Sequence, residues 1–278
     1  MDLKTLRKIP PWDWPEGAGK MFLDLLRDGQ AAQADRLLAA ELAGDFTVIN
    51  DELVGVLLAI LRNGGESEAL RGQAAISLGP VLEHADTHGF EDADDVPIAE
   101  HTFHRMQESL RKFYTEAGVP KDVRRRILET SVRAPQSWHQ DAVRAAYASD
   151  DEAWRLTAVF CMRFARGFEE QILEALDSRN PDIHYEAVLA AGDWEVDAAW
   201  PHVAALVASG RTEKLLLLAA IDAVASIRPH EAAEILEDLA HSDDEDVVAA
   251  VDEALAMAAG PSDEDEDEEL NDDDELLH

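Results

Sequence analysis

Five stretches of this chain repeat one pattern, an apolar residue followed by small residues four and seven or eight places later, and their leading residues are Leu70, Trp154, Ile183, Leu215 and Val247. Val123-Arg-Arg-Arg-Ile127 is a degenerate sixth. From Val123 onward the steps are 31, 29, 32 and 32 residues, the length of two helices and two short turns. Positions i, i+4 and i+7 share one helix face, and alanine there lets the next helix approach closely. A chain with this period hides its apolar faces only by stacking one helix pair on another. Aromatic residues are 6% of the total, so a core of Ala, Leu and Val is expected, which suits packed helices better than a β-sandwich.

Each repeated helix follows an amphipathic stretch, at 51–61, 98–114, 140–148, 168–176, 198–207 and 230–239, and a further pair at 19–28 and 31–43 begins the series. Asn180-Pro181, Ser149-Asp-Asp151 and Ser242-Asp-Asp244 supply the side-chain acceptors and the proline that open helices. Only the step from Leu70 to Val123 breaks the period. Its excess holds an acidic, glycine-containing run that predicts a loop insertion near 85–96. The expectation is an all-α fold, an α-α superhelix of about seven helix pairs over 19–260. It is preceded by a Pro/Trp segment, 1–18, that caps the first pair, and followed by a disordered acidic tail, 261–278.

The strings Asn180-Pro-Asp-Ile-His-Tyr-Glu-Ala-Val-Leu-Ala-Ala-Gly192 and Leu70-Arg-Gly-Gln-Ala-Ala-Ile-Ser-Leu-Gly79 resemble bacterial HEAT repeats of the type shared with phycobiliprotein lyases. The resemblance covers roughly 50–259 and implies a HEAT-like solenoid, right-handed, without fixing a function. It also implies that a basic residue after each apolar leader pairs with acidic residues of the neighbouring turn. Arg71, Arg124 and Arg155 fit this, whereas His184, Leu216 and Val248 depart from it, so that polar ladder should fade toward the C-terminus.

Charge narrows the functional classes. Asp and Glu number 59 against 24 Lys and Arg, a formal net charge of −35, which repels phosphate backbones and anionic membranes. Eleven of the acidic residues lie in 261–278, so the rest of the chain is still −24. The expected role is a scaffold or adaptor that binds a protein partner of basic character, with no nucleic acid and no membrane. The concave row of second helices, with Arg71, Arg124, Arg155, Tyr185 and Lys214, is the expected contact surface. Trp12 and Trp14 stand beside it as binding anchors or as the cap of the first pair.

No catalytic, cofactor-binding or metal-binding residue is expected. His230-Glu231 resembles the His-Glu pair that HEAT-like deoxyhypusine hydroxylases repeat four times to hold two irons, but this chain carries it once and separates His184 from Glu186. His84, His88, His101 and His104 gather near carboxylates without an HExxH signature. The alternatives are a HEAT-like enzyme, either a bilin lyase or a metal-dependent hydroxylase, and a solenoid whose acidity is an adaptation to high salt. A single cysteine, Cys161, and the lack of an apolar leader or spanning run point to a cytoplasmic protein.

Overall fold

A computed structural model describes residues 2–92 and 95–259. The expected tail at 261–278 lies outside the described residues. Every regular element among them is helical, and the chain forms two compact units, Met1–Ala165 and Arg166–His278.

In the first unit, α1 is Leu3–Leu6 and a 3-10 turn follows at Pro11–Asp13. Four helix pairs come next: α2 (Ala18–Arg27) with α3 (Gln33–Leu42), and α4 (Asp51–Arg62) with α5 (Glu68–Ile76). After α6 (Gly79–His88) stand α7 (Glu100–Thr115) with α8 (Lys121–Ser131), and α9 (Ser137–Tyr147) with α10 (Glu152–Met162). The second helices α3, α5, α8 and α10 touch in succession, as do the first helices α2, α4 and α7. The second unit holds three pairs: α11 (Glu169–Leu176) with α12 (Pro181–Asp193), α13 (Trp200–Ala208) with α14 (Lys214–Ile227), and α15 (Pro229–Leu236) with α16 (Glu245–Ala259). Again the second helices α12, α14 and α16 pack in sequence. The fold is the expected all-α one, with four helix pairs in the first unit and three in the second.

The burial pattern explains why the period is visible in the sequence. In α8, α10 and α12 the leading residue and those four, five, seven and eight places later are buried: Val123, Ile127, Leu128, Thr130 and Ser131 in the first case, Ile183, Ala187, Val188, Ala190 and Ala191 in the last. In α14 the same slots are filled by Ala220, Ile221, Ala223 and Val224, which makes Leu216 the leader. The expected leader, Leu215, is 64% exposed. The run Lys214-Leu-Leu-Leu-Leu218 offers an apolar residue at every phase, so spacing alone slipped by one residue.

Helix ends follow their side chains. Asn50, Ser67, Asp151, Asn180 and Glu213 each accept from backbone N–H groups of the first turn they precede. Four of these caps, Ser67, Asp151, Asn180 and Glu213, stand three residues before the leaders Leu70, Trp154, Ile183 and Leu216, a second mark of the repeat register. The stretch 85–96, expected as a loop, is helical as far as His88. Pro80 has no N–H to offer the carbonyl of Ile76, so α5 ends there and Pro80 becomes the second residue of α6.

Two backbone positions carry testable strain or closeness. A Cβ on Gly44 would stand 2.5 Å from the carbonyl oxygen of Ser77 and 2.9 Å from its Cα, where α3 and α5 meet. Gly44→Ala should therefore destabilise the first unit by about 1–3 kcal/mol, read as a lower denaturant midpoint. At the end of α12, Val196 N–H bonds Ala191 O and Glu195 N–H bonds Gly192 O, a Schellman closure that places Glu195 in the left-handed region with φ 49°. Glycine suits that conformation better, and Glu195→Gly should raise stability by roughly 0.5–1 kcal/mol in the same assay.

Candidate interaction surfaces

The expected row of basic residues is built differently from the ladder that the resemblance implies. Arg71 is 5% exposed, and its Nε donates to Leu61 O at the end of α4 (2.9 Å). Arg124 Nη2 donates to Val119 O (3.2 Å) and Glu116 O (3.4 Å), just past α7. Arg36, which the sequence reading passed over, reaches Leu26 O (3.0 Å) at the end of α2 and also forks onto Glu66 with bonds of 2.7 and 2.8 Å. In two pairs an arginine of the second helix, Arg36 or Arg71, thus satisfies a carbonyl in the last turn of the first helix, where the helix dipole favours a cation, whereas Arg124 holds carbonyls of the turn that follows α7. Arg71 is accordingly a structural clamp, since burial withdraws it from any partner. Arg155 lies over the Tyr147 ring at 5.8 Å, and Tyr185 is half-buried on α12.

Two of the bridges between pairs come instead from residues two places before the leader. Lys121, before Val123, pairs with Asp151, and Lys214, before Leu216, pairs with Asp244 (2.8 Å) and Asp246 (2.6 Å). Asp151 also caps α10, and Asp244 Oδ1 accepts from the Asp246 N–H at the start of α16, so each carboxylate serves its own helix and the preceding pair. The Lys121 ammonium holds the Asp151 carboxyl below the usual carboxylate range, and Lys214 does the same to Asp244. Arg228 bonds Asp197 Oδ1 (2.8 Å) within the second unit. A bridge between pairs remains in the second unit, at Lys214, where the residue after the leader is not basic.

The two N-terminal tryptophans part company. Trp14 packs edge-on against Phe22, with ring centroids 5.4 Å apart and planes at 85°, and its Nε1 donates to Leu6 O (3.0 Å). Trp12 is 78% exposed on the 3-10 turn that Pro10 and Pro11 precede and open. An open cavity of about 470 Å³ lies beside them, lined by Pro11, Trp12, Trp14, Pro15 and Val48 among others. Phe46, also exposed, sits in the loop that supplies Val48.

Histidines gather in two places. His84 and His88, one turn apart on α6, stack at 4.0 Å; His84 Nε2 lies 2.8 Å from Asp95 O. His101 and His104 lie on α7, where His104 Nε2 is 3.6 Å from Glu100. In the second unit, His184 of α12 and His202 of α13 face each other at 2.8 Å between Nε2 atoms. Burial, and then the neighbouring His202, lower the His184 pKa, with Asp177 opposing them. No three His, Cys, Asp or Glu side chains among the described residues converge to hold a metal ion. No helix among those residues is long and apolar enough to cross a membrane.

No family model matches the chain, and no curated protein matches it in sequence. Among solved structures it is similar to human deoxyhypusine hydroxylase in complex with glycerol, at 16% identity over 93% of this chain and 89% of that one, with a TM-score of 0.39. It is also similar to an engineered protein, at 17% identity over 88% and 97% of the two chains, with a TM-score of 0.36. Both likenesses are too remote to bear on function.

Proposed function

We propose that this chain is a protein-binding scaffold of HEAT-like helix pairs whose partner is a basic protein. The observation that supports this reading is the charge balance. In residues 1–260, forty-eight carboxylates meet twenty-four Lys and Arg, so half of the carboxylates have no base of their own within the chain. The bases are further committed, since Lys121, Lys214, Arg228 and Arg36 all bridge to carboxylates inside their own unit. The remaining excess negative charge attracts cationic surfaces and accelerates their encounter. No residue has a catalytic role in this reading. A cytoplasmic setting accords with a single cysteine, Cys161, buried on α10.

The test is capture on the tagged full-length chain, with bound proteins identified by mass spectrometry. A stoichiometric partner richer in Lys and Arg than in Asp and Glu, released by salt, is the expected result. Stoichiometric capture of acidic partners that salt does not release would contradict it.

A further inference from the structure

One pair of side chains has a geometry that neither the stacking nor the capping of helices requires. His184 stands in the first turn and a half of α12 and His202 near the start of α13, and each aims Nε2 at the other. The rings are nearly perpendicular at 80°, with centroids 5.0 Å apart. At 2.8 Å, one imidazole donates its Nε2–H and the other accepts there, so at least one Nε2 lone pair is held ready and half-buried between two helices.

We propose that His184 and His202 form a two-imidazole chelate for a borderline transition-metal dication, Cu2+ or Zn2+, with water completing the coordination. Neutral imidazole is the preferred protein ligand of these ions. Two nitrogens bound at about 2.0–2.1 Å to one tetrahedral ion stand roughly 3.3 Å apart, so metal entry needs the pair to widen by only about 0.5 Å while the rings pivot. On binding, the donor imidazole changes tautomer and carries its proton on Nδ1 instead of Nε2, so both rings stay neutral, both Nε2 lone pairs face the ion and no net proton is released. Asp177 acts on the His184 imidazole, and a chain of net charge −35 concentrates dications around itself. The site is independent of the scaffold reading, since it requires no protein partner.

The experiment adds Cu2+ alone, then Zn2+ alone, to the purified full-length chain. Electron paramagnetic resonance of the first equivalent of Cu2+ should show hyperfine coupling to two imidazole nitrogens, and calorimetry should show one Zn2+ site. His184→Asn and His202→Asn should each weaken binding at least about tenfold, the loss that removal of even an outer-shell partner can cause. Thermal melts of both variants confirm that they fold. In the unsubstituted chain, substoichiometric Cu2+ should broaden the imidazole resonances of His184 and His202 before those of the other eight histidines. Affinity unchanged by both substitutions, or earlier broadening at His84 and His88 on α6, would overturn the assignment.

Discussion

Replacing Phe22 by alanine is expected to destabilise the first unit by about 3–5 kcal/mol, the range for removing a buried aromatic ring. Phe22 is fully buried on α2 and is the surface on which Trp14 docks, so its loss leaves a cavity and frees the indole that is tied to Leu6 O. Leu3 and Leu6 of α1 are buried as well. Denaturant unfolding followed by far-ultraviolet circular dichroism measures the loss. Trp12→Ala serves as the contrast, because an exposed indole on the same turn should change stability by no more than about 0.5 kcal/mol. Equal effects of the two substitutions would show that the burial of Phe22 and the exposure of Trp12 do not set their contributions to stability.

Acidification should weaken the first unit through a single histidine. His139 on α9 is 1% exposed; its Nδ1 accepts from the Gln136 N–H (2.8 Å), which leaves Nε2 to donate to Ser131 Oγ on α8 (3.0 Å). Both ring nitrogens are thus satisfied in the neutral form, and burial pushes the pKa down from 6.5 to about 4. The unfolded chain takes up a proton at the ordinary value while the folded chain resists it. The stabilisation is therefore complete above about pH 6.5 and is lost as pH falls toward about 4, a difference of roughly 3 kcal/mol. Acidification also neutralises carboxylates and relieves their repulsion, so the informative quantity is the difference between the native chain and His139→Gln. Native stability should fall relative to the variant across that window. Parallel pH profiles would show that the imidazole does not titrate on unfolding.

What was legible in the sequence is what repetition writes there. Ala74, Ala158, Ala187 and Ala220 recur because close stacking of these second helices favours a small residue at the same height, and Ser67, Asp151, Asn180 and Glu213 recur because each caps the first turn of the second helix it precedes. Legibility failed where the period is silent. Four consecutive leucines in α14 hid its true leader, Leu216, and the helical continuation through Pro80 disguised α6 as a loop. Arg36 escaped notice because the first pair lacks the leader pattern that drew attention to Arg71 and Arg124, although Arg36 and Arg71 clamp the helix before them and Arg124 the turn that follows it. Those two were expected at a binding surface because sequence spacing places a residue on a helix face without revealing that a carbonyl from the partner helix awaits it. The His184–His202 contact was invisible for a related reason: the residues are eighteen positions apart on different helices, and only packing brings their rings together.

The most direct test of a carboxylate-rich scaffold that holds a basic protein is the affinity for its captured partner across a salt series. Between about 0.05 and 0.5 M salt, where the screening length contracts from well over 10 Å to a few ångströms, binding should weaken by at least about tenfold, chiefly through a slower on-rate. A dissociation constant that stays flat over that range would contradict it.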